Sequence, residues 1–311
     1  MIYSLTVNPA LDREVTVPAI RMNEVLRAKS VRVDSGGKGL NVSRALASLG
    51  QPSVAMGFVG GDTGHRLKRD LAAAGVETDF VAVGGETRTN FCIVTADGKQ
   101  QVKVNEPGPT VTQAEQDALL ASVSRRARSG DWWVVSGSLP PGANPRLYAL
   151  VIEAVRSAGG RVLLDTSEEA LQHGCAARPF LVKPNAAEAA ELTGVDVRDA
   201  KSARTATVKL HQYGAEIAVI SLGMHGALLS APSGAWTASP PPVRARNANG
   251  AGDALLAGLV YSLSRGEEFP DALRMGVACG TVAAGLNGTA APARSDVERL
   301  ASQVQVERQP A

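Results

Sequence analysis

The sequence predicts an α/β protein in which a mainly parallel β-sheet is covered by helices on both faces. Short β-branched runs alternate with amphipathic stretches along most of the 311 residues, which is the pattern of parallel strands joined by crossover helices. Two pairs of strand-like segments have no helix between them, so a second, smaller sheet is expected. The C-terminal third has mainly helical periodicity.

The alternating segments can be placed in order along the chain. Strands of the main sheet are predicted at residues 2–7, 54–59, 132–135, 161–164, 180–182 and 217–220. Helices are predicted at residues 41–49 and 65–74, and a third begins at Pro145 with Asn144 as its cap. The last helices are expected at residues 250–263, 270–284 and 295–303, followed by a frayed tail from 306 to 311.

The smaller sheet is predicted from two separated parts of the chain, about residues 12–34 and 86–106. Its strand-like segments are 14–17 with 26–33, and 88–95 with 100–104. Asp97-Gly98 between the second pair is a strong hairpin signal. Because no repeat or low-complexity linker divides the chain, we expect residues 1–311 to form one domain from which this sheet projects as a lid.

Composition excludes several classes of protein. The 32 basic and 30 acidic residues leave a formal net charge of +2, which gives no reason to expect a nucleic-acid or membrane-surface partner. The three cysteines have no CxxC spacing, so we expect neither a disulfide framework nor a zinc site, and a cytoplasmic location. The N-terminus has no basic region followed by a long apolar run, unlike a signal peptide.

Two glycine-rich segments lead into predicted helices and are suited to binding anions. In residues 34–41, Gly36 and Gly37 let the backbone approach a ligand and Lys38 adds a positive charge. In residues 247–253, the N–H groups of Gly250, Ala251 and Gly252 can point at one site. Asp253 follows them, and a carboxylate beside an anion site can deprotonate a hydroxyl that attacks a phosphoryl group. Either segment, taken alone, could instead be a turn and a helix cap.

The segment 181–188 permits two interpretations. Asn185 and Glu188 have the spacing of a capping box, with Asn185 as N-cap and Glu188 three residues later. The same two side chains offer hard oxygen donors to Mg²⁺ or its waters. The sequence leaves both interpretations open.

Five motifs in order resemble the PfkB-type carbohydrate kinases of the ribokinase-like superfamily. The motifs are GGKGLN from residue 36, SGSLPPG from 136, KPNAAE from 183, SLGMHGA from 221 and NGAGDALLAG from 249. The resemblance covers most of the chain and implies a three-layer α/β/α body with a small β-sheet lid. Asn8-Pro-Ala-Leu-Asp12, the GGKG form and Thr87-Arg-Thr-Asn90 are similar to the branch that phosphorylates sugar phosphates, which includes 1-phosphofructokinase, tagatose-6-phosphate kinase and the minor 6-phosphofructokinase.

The resemblance implies a role for each matching residue. Asp253 corresponds to the general base, and Gly250, Ala251 and Gly252 to the anion hole for the transferred phosphoryl group. Substrate binding is implied for Asp12, Gly36, Gly37, Lys38, Asn41, Arg88, Asn90 and Ser138. Nucleotide binding is implied for Lys183, Asn185, Ser221, Gly223, Gly226 and Asn287, and Mg²⁺ binding, directly or through water, for Glu188 and Asn185.

The implied activity is ATP-dependent, Mg²⁺-requiring phosphorylation of a ketose phosphate by a homodimer paired through its lids. Two features favour D-fructose 1-phosphate as the substrate. The first motif reads GGKG in place of GGGG, and Val25 stands where the minor 6-phosphofructokinase has a substrate-binding lysine. Asn247-Ala248-Asn249 departs from the usual residues before GAGD, which leaves dependence on a monovalent cation open. The alternatives are the two related kinases and a non-catalytic metabolite sensor. A nicotinamide-dependent enzyme is disfavoured, because no GxGxxG follows the first strand.

Overall fold

The computed structural model describes residues 1–243 and 249–310. Its strands are β1 Ile2–Thr6, β2 Ala10–Val17, β3 Ser30–Gly36, β4 Val54–Val59, β5 Glu77–Ala82, β6 Arg88–Thr95, β7 Gln101–Val104, β8 Trp132–Ser136, β9 Arg161–Asp165, β10 Leu181–Val182, β11 Ile217–Ser221, β12 Ala227–Ala231, β13 Gly234–Ser239 and β14 Gln305–Gln309. Its helices are α1 Lys38–Ser48, α2 Gly61–Ala73, α3 Gln113–Arg126, α4 Leu147–Ser157, α5 Glu168–Ala176, α6 Ala186–Thr193, α7 Ala200–Gln212, α8 Ala251–Ser264, α9 Phe269–Ala284 and α10 Arg294–Ala301.

The main sheet has the strand order β14-β13-β12-β11-β10-β9-β8-β1-β4-β5. Neighbouring strands from β5 to β11 are parallel, whereas β11 to β14 pair antiparallel. The mainly parallel sheet predicted from the alternation is therefore confirmed. The hairpin β12–β13 and the edge strand β5 are additions that the sequence analysis did not place.

Helices cover both faces of this sheet, which makes the three-layer arrangement. Trp133 and Val135 of β8 are fully buried in the core formed with α3, α4 and α5. Trp132 and Val134, one residue earlier in each case, lie in the opposite core with α1, α8 and α9. Since alternate side chains of a strand point to opposite faces, a strand buried on both sides reads as the continuous apolar run WWVV.

The prediction of a frayed C-terminal tail is wrong. Residues 305–309 form β14, which pairs antiparallel with β13 along its whole length. The segment is polar, so its own pattern gives no strand signal, but backbone pairing to β13 places it. Val306 packs against the second core. Ala311 lies outside the described residues.

The small sheet has the order β3-β2-β6-β7. Strand β2 pairs antiparallel with β3 but parallel with β6, and β6 and β7 form the predicted hairpin. The strand expected from residue 26 begins only at Ser30. The parallel register sets Asp12 beside Asn90 and Ala10 beside Arg88, so one end of this sheet carries several of the predicted site residues.

Candidate active site

A cavity of about 1200 Å³ opens where the carboxyl ends of the central strands meet the small sheet. Thr6, Asp165 and Ser221, the last residues of β1, β9 and β11, line it from the main sheet. Asp12, Asn90 and Lys103 of the small sheet line it from the other side. Ligands of open α/β sheets bind outside the carboxyl ends of the strands, and this cavity has that position.

The turn that begins α8 faces into this cavity. Gly250 is its N-cap with φ of 79°, a left-handed conformation that favours glycine. The amides of Ala251, Gly252 and Asp253 lie at the N-terminus of α8, before the first hydrogen bond between described residues of the helix, from Ala254 N to Gly250 O, which is a position where backbone amides can bind an anion. Within the predicted segment 247–253, Asn247 and Ala248 lie outside the described residues.

Asp253, in the first turn of α8, is buried at 7% exposure. The Asn41 side-chain nitrogen donates a hydrogen bond to its Oδ2 at 2.7 Å. Burial, together with repulsion from Asp165, raises the pKa of Asp253 to about 6, although Asn41, Lys38 and Lys183 oppose the shift. A carboxylate with this pKa is ionised near neutral pH and binds a proton more readily than an ordinary aspartate.

Two lysines form ion pairs with the carboxylate of Asp165, a residue that the sequence analysis did not single out. Asp165 is 1% exposed at the end of β9, and it accepts hydrogen bonds from Lys38 Nζ at 2.9 Å and Lys183 Nζ at 3.0 Å. Glu188 Oε1 lies 3.8 Å from Lys38 Nζ. Burial alone would raise the pKa of Asp165, but the two lysines hold it below the usual value. The signal available in the sequence was an acid closing the apolar strand RVLLD at the sheet edge that binds ligands.

Lys183 also lies close to the turn of α8. A Cβ atom on Gly252 would be 3.5 Å from Lys183 Nζ. The amides at the start of α8 and a buried ammonium therefore lie close to one another. A phosphoryl group placed there would meet several positive partial charges and one full charge.

A second group of predicted residues lies toward the small sheet. Arg88 donates to Asn8 O at 3.0 Å, Glu106 O at 3.0 Å and Ser138 Oγ at 3.4 Å. Asn90 donates to Asp12 Oδ1 at 2.9 Å, and burial raises the pKa of Asp12. These contacts bring polar groups from β2, β6 and the loop after β8 to one end of the cavity.

Gly36 packs against Asp12 and is not among the cavity-lining residues. A Cβ atom at Gly36 would lie 2.1 Å from Asp12 Oδ2. Any larger residue at this position would displace the Asp12 carboxylate. Its neighbour Gly37, with φ of 129°, does line the cavity and begins α1.

The predicted nucleotide-binding residues border the remaining part of the cavity. Lys183, Asn185, Ser221, Gly223 and Gly226 all line it. Asn287 does not, although the next two residues do.

The capping box predicted at the start of α6 is confirmed and occupies part of the candidate metal donors. Asn185 Oδ1 accepts from the Glu188 amide at 2.9 Å, and Glu188 Oε2 accepts from the Asn185 amide at 2.8 Å. The single side-chain oxygen of Asn185 and one of the two carboxylate oxygens of Glu188 are thus engaged, while the other, Glu188 Oε1, faces Lys38. Within the described residues no group of three or more His, Cys, Asp and Glu side chains could hold a metal. The oxygens of Asn185 and Glu188 alone are too few to enclose a metal ion, but they suit Mg²⁺ that is bound to phosphates and keeps several of its waters.

The chain matches known proteins over most of its length. Residues 5–296 match the pfkB family carbohydrate kinase description. A 1-phosphofructokinase of Rhodobacter capsulatus is 34% identical over 99% of this chain and 98% of its own length. An ATP-dependent 6-phosphofructokinase isozyme 2 of Mycobacterium tuberculosis is 37% identical over 96% of this chain and 88% of its own length.

Solved structures show the same architecture. Phosphofructokinase-2 from Escherichia coli in complex with potassium superposes with a TM-score of 0.91 at 32% identity, over 97% of this chain and 98% of its own. Arabidopsis thaliana ribokinase with ribose and ATP has a TM-score of 0.78 at 21% identity, over 96% of this chain and 98% of its own, which is a likeness of fold.

The chain therefore belongs to the PfkB family of carbohydrate kinases and has the ribokinase-like fold. It is an ATP-dependent sugar kinase. Among the described helices, none combines the length and apolar character that a membrane crossing requires.

Proposed function

We propose that this protein, as one kinase domain, transfers the γ-phosphoryl group of ATP to a ketose phosphate, and that the substrate is D-fructose 1-phosphate, giving the 1,6-bisphosphate. The observation that carries the proposal is the shared cavity, in which buried Asp253 and the N-terminal turn of α8 lie together with Lys38 and Lys183. The segment 34–41 and the first turn of α8 are more than 200 residues apart in sequence, yet Asn41 of the first donates a hydrogen bond to Asp253 of the second.

The chemistry follows from the geometry. Asp253 accepts the proton of the C6 hydroxyl as that oxygen attacks the γ-phosphorus, and the bond between the γ-phosphorus and the oxygen of ADP breaks. The amides of Gly250, Ala251 and Gly252, with Lys183, stabilise the charge on the transferred group. Asn185 and Glu188 would hold Mg²⁺ through its waters, and this ion would neutralise charge on the ATP phosphates when bound.

The substrate is proposed to lie with its phosphate toward the small sheet. Arg88, Asn90 and Ser138 offer donors there, and Asp12 faces a sugar hydroxyl. Nucleotide is proposed to bind along Ser221, Gly223 and Gly226. Asn287 itself does not line the cavity, so the adenine is proposed to border the segment that Asn287 begins, residues 287–289. The ion-pair partners of Lys38 are Asp165 and Glu188. We therefore propose that Lys38 lies between the two substrates and contacts both the substrate phosphate and the transferred phosphoryl group.

The second candidate is 6-phosphofructokinase activity, which the 37% identity to the mycobacterial isozyme favours. A coupled assay of ADP release with fructose 1-phosphate, fructose 6-phosphate and tagatose 6-phosphate decides between these substrates. Running it with potassium and with sodium also tests for dependence on a monovalent cation. No ADP release with any sugar phosphate would favour the metabolite-sensor alternative and reject the proposal.

Replacing Arg88 with Ala is expected to raise KM for the sugar phosphate by roughly 10- to 100-fold, since a hydrogen bond to a charged group contributes about 1.5–3 kcal/mol. KM for ATP should change little. Lys38→Ala is expected to lower kcat as well, because Lys38 lies near Asp253. Initial-rate kinetics on both variants check this, with Arg125→Ala, an exposed change on α3, as control. Equal KM values for wild type and Arg88→Ala would place the substrate phosphate elsewhere.

We propose that two copies pair through their small sheets. Val31, Val102 and Val104, on the outer strands β3 and β7, are 43–56% exposed, and Phe91 on the inner strand β6 is 37% exposed. Outer strands with exposed apolar side chains tend to pair with another chain. Light scattering is expected to give about twice the chain mass of 32.2 kDa, and Val104→Lys should shift the mass toward one chain. A wild-type mass near one chain would reject the dimer.

A further inference from the structure

Arg44 of α1 lies behind the candidate active site rather than on its lining. Its Nη2 donates to Asn41 Oδ1 at 2.5 Å and to Thr289 Oγ1 at 3.0 Å. Its Nε is buried without a hydrogen-bond partner in the described part of the chain. Nearby carboxylates attract its charge and offset part of the cost of burying it, namely those of Asp34, Asp12, Asp253 and Asp70. Its hydrogen bonds, however, are made to Asn41 and Thr289, beside the candidate base.

Arg44 constrains which way the Asn41 amide points. A guanidinium has only donors, so the Asn41 atom that faces Arg44 must be the oxygen. The nitrogen then faces the opposite way, where it donates to Asp253 Oδ2 at 2.7 Å. Three side chains therefore form a directed chain of hydrogen bonds from Arg44 through Asn41 to Asp253.

We propose that Arg44 is a positioning residue for phosphoryl transfer, which holds the Asn41 amide so that its N–H, and not its oxygen, faces the Asp253 carboxylate. The inference rests on the proposed role of Asp253 as general base. An ionised carboxylate can only accept hydrogen bonds, so an amide turned by 180° would repel it. Arg44 thereby stabilises the ionised, proton-accepting form.

The charged groups that act on Asp253 from the surrounding elements are Asp165 at the end of β9, Lys38 at the start of α1, Lys183 after β10 and Arg44 itself. Asp165 disfavours the ionised form and the lysines favour it. Asp165 and the two lysines are independent of the Asn41 amide, so removing Arg44 changes the orientation of that amide and the direct attraction of Arg44 to Asp253, and leaves the other contributions in place. Loss of the orienting bond is expected to raise the pKa of Asp253 by about one unit.

The bond from Arg44 to Thr289 supports a purely structural alternative. Thr289 follows α9 and lines the cavity beside Gly250, so Arg44 could simply fasten this loop to α1. Thr289→Val removes that bond and leaves Asn41 untouched. A structural role would thus be reproduced by Thr289→Val, whereas an orienting role would not.

The test measures the protonation of Asp253 directly. The protein is labelled with ¹³C at aspartate Cγ, the Asp253 signal is assigned by its loss in Asp253→Asn, and its shift is followed against pH in wild type, Arg44→Met, Arg44→Lys and Thr289→Val. We expect the midpoint to rise by about one unit in Arg44→Met, to return toward wild type in Arg44→Lys, and to stay at the wild-type value in Thr289→Val. The acid limb of kcat/KM should move in the same direction.

A second comparison separates orientation from the direct charge of Arg44. In the Asn41→Leu background, adding Arg44→Met should move the Asp253 midpoint much less, by the direct charge of Arg44 alone. An unchanged midpoint in Arg44→Met, an equal shift in Thr289→Val, or a full shift that persists with Asn41→Leu would each overturn the proposal. Because the titration needs no turnover, it remains interpretable if the sugar-phosphate kinase assay fails.

Discussion

Replacing Asp253 with Asn is expected to lower kcat by a factor of about 10² to 10⁴, the usual contribution of a general base. The amide has nearly the shape of the carboxylate and can still accept the hydrogen bond from Asn41, but it cannot take up the proton of the attacking hydroxyl. The anion-binding amides of α8 belong to the backbone and stay in place. ATP affinity should therefore change little, which calorimetric titration can show alongside the loss of kcat.

The pH dependence provides an independent reading of the same residue. Since the pKa of Asp253 is raised to about 6, the ionised base is present above that pH and is lost as the pH falls through it. Wild-type kcat/KM should decline on the acid side of pH 6, and the residual activity of Asp253→Asn should lack this limb.

Asp271→Asn is the matched control, because Asp271 is an exposed acid in the first turn of α9. It should behave as wild type in both kcat and pH profile. A near-normal kcat for Asp253→Asn would remove Asp253 from the role of base.

Much of this site could be predicted from the sequence because its backbone requirements are local. The left-handed turn at Gly250 demands a glycine, and the acid after it falls in the first helical turn wherever the helix begins. The capping box of Asn185 and Glu188 spans four residues and is visible without the fold. The Asp-Gly hairpin and the buried run WWVV are also local signals, and the structure contains both elements.

The remainder depends on contacts between distant parts of the chain. Asp165 meets a lysine 127 residues away, and nothing in RVLLD indicates which cations will face it. The tail was misjudged because β14 is stabilised by pairing with β13 rather than by its own pattern. The orientation of the Asn41 amide follows from Arg44 and Asp253 together, so neither local pattern nor composition contains it.

Replacing Asp165 is expected to have a large effect on the stability of the fold. Asp165→Asn leaves Lys183, 4% exposed, and half-buried Lys38 without their shared counter-charge. Removing one partner of a buried ion pair typically costs about 3–5 kcal/mol, so urea unfolding should show a loss of that size. Asp79→Asn, which breaks the half-exposed pair with Arg126, serves as control and should cost about 1 kcal/mol or less.

The pH dependence of stability gives the sign of this contribution. Because the folded-state pKa of Asp165 is lowered, its stabilisation is present above the pKa of the unfolded chain, about 3.9, and is lost as the pH falls through the folded value. Asp165→Asn should therefore show a shallower loss of stability on acidification than wild type. Equal free energies of unfolding for the two proteins at pH 7 would contradict a buried, ionised Asp165.

A double replacement then separates stability from function. Buried ion pairs can often be exchanged for apolar residues with little loss of stability, so Asp165→Leu combined with Lys183→Met should unfold at a higher urea concentration than Asp165→Asn. The double variant nevertheless lacks the ammonium beside Gly252 and the anchor of Lys38, so its kcat should stay low. Recovered stability without recovered turnover would mean that the buried acid is retained to hold two cations where the phosphoryl group passes, and recovery of both would assign Asp165 to folding alone.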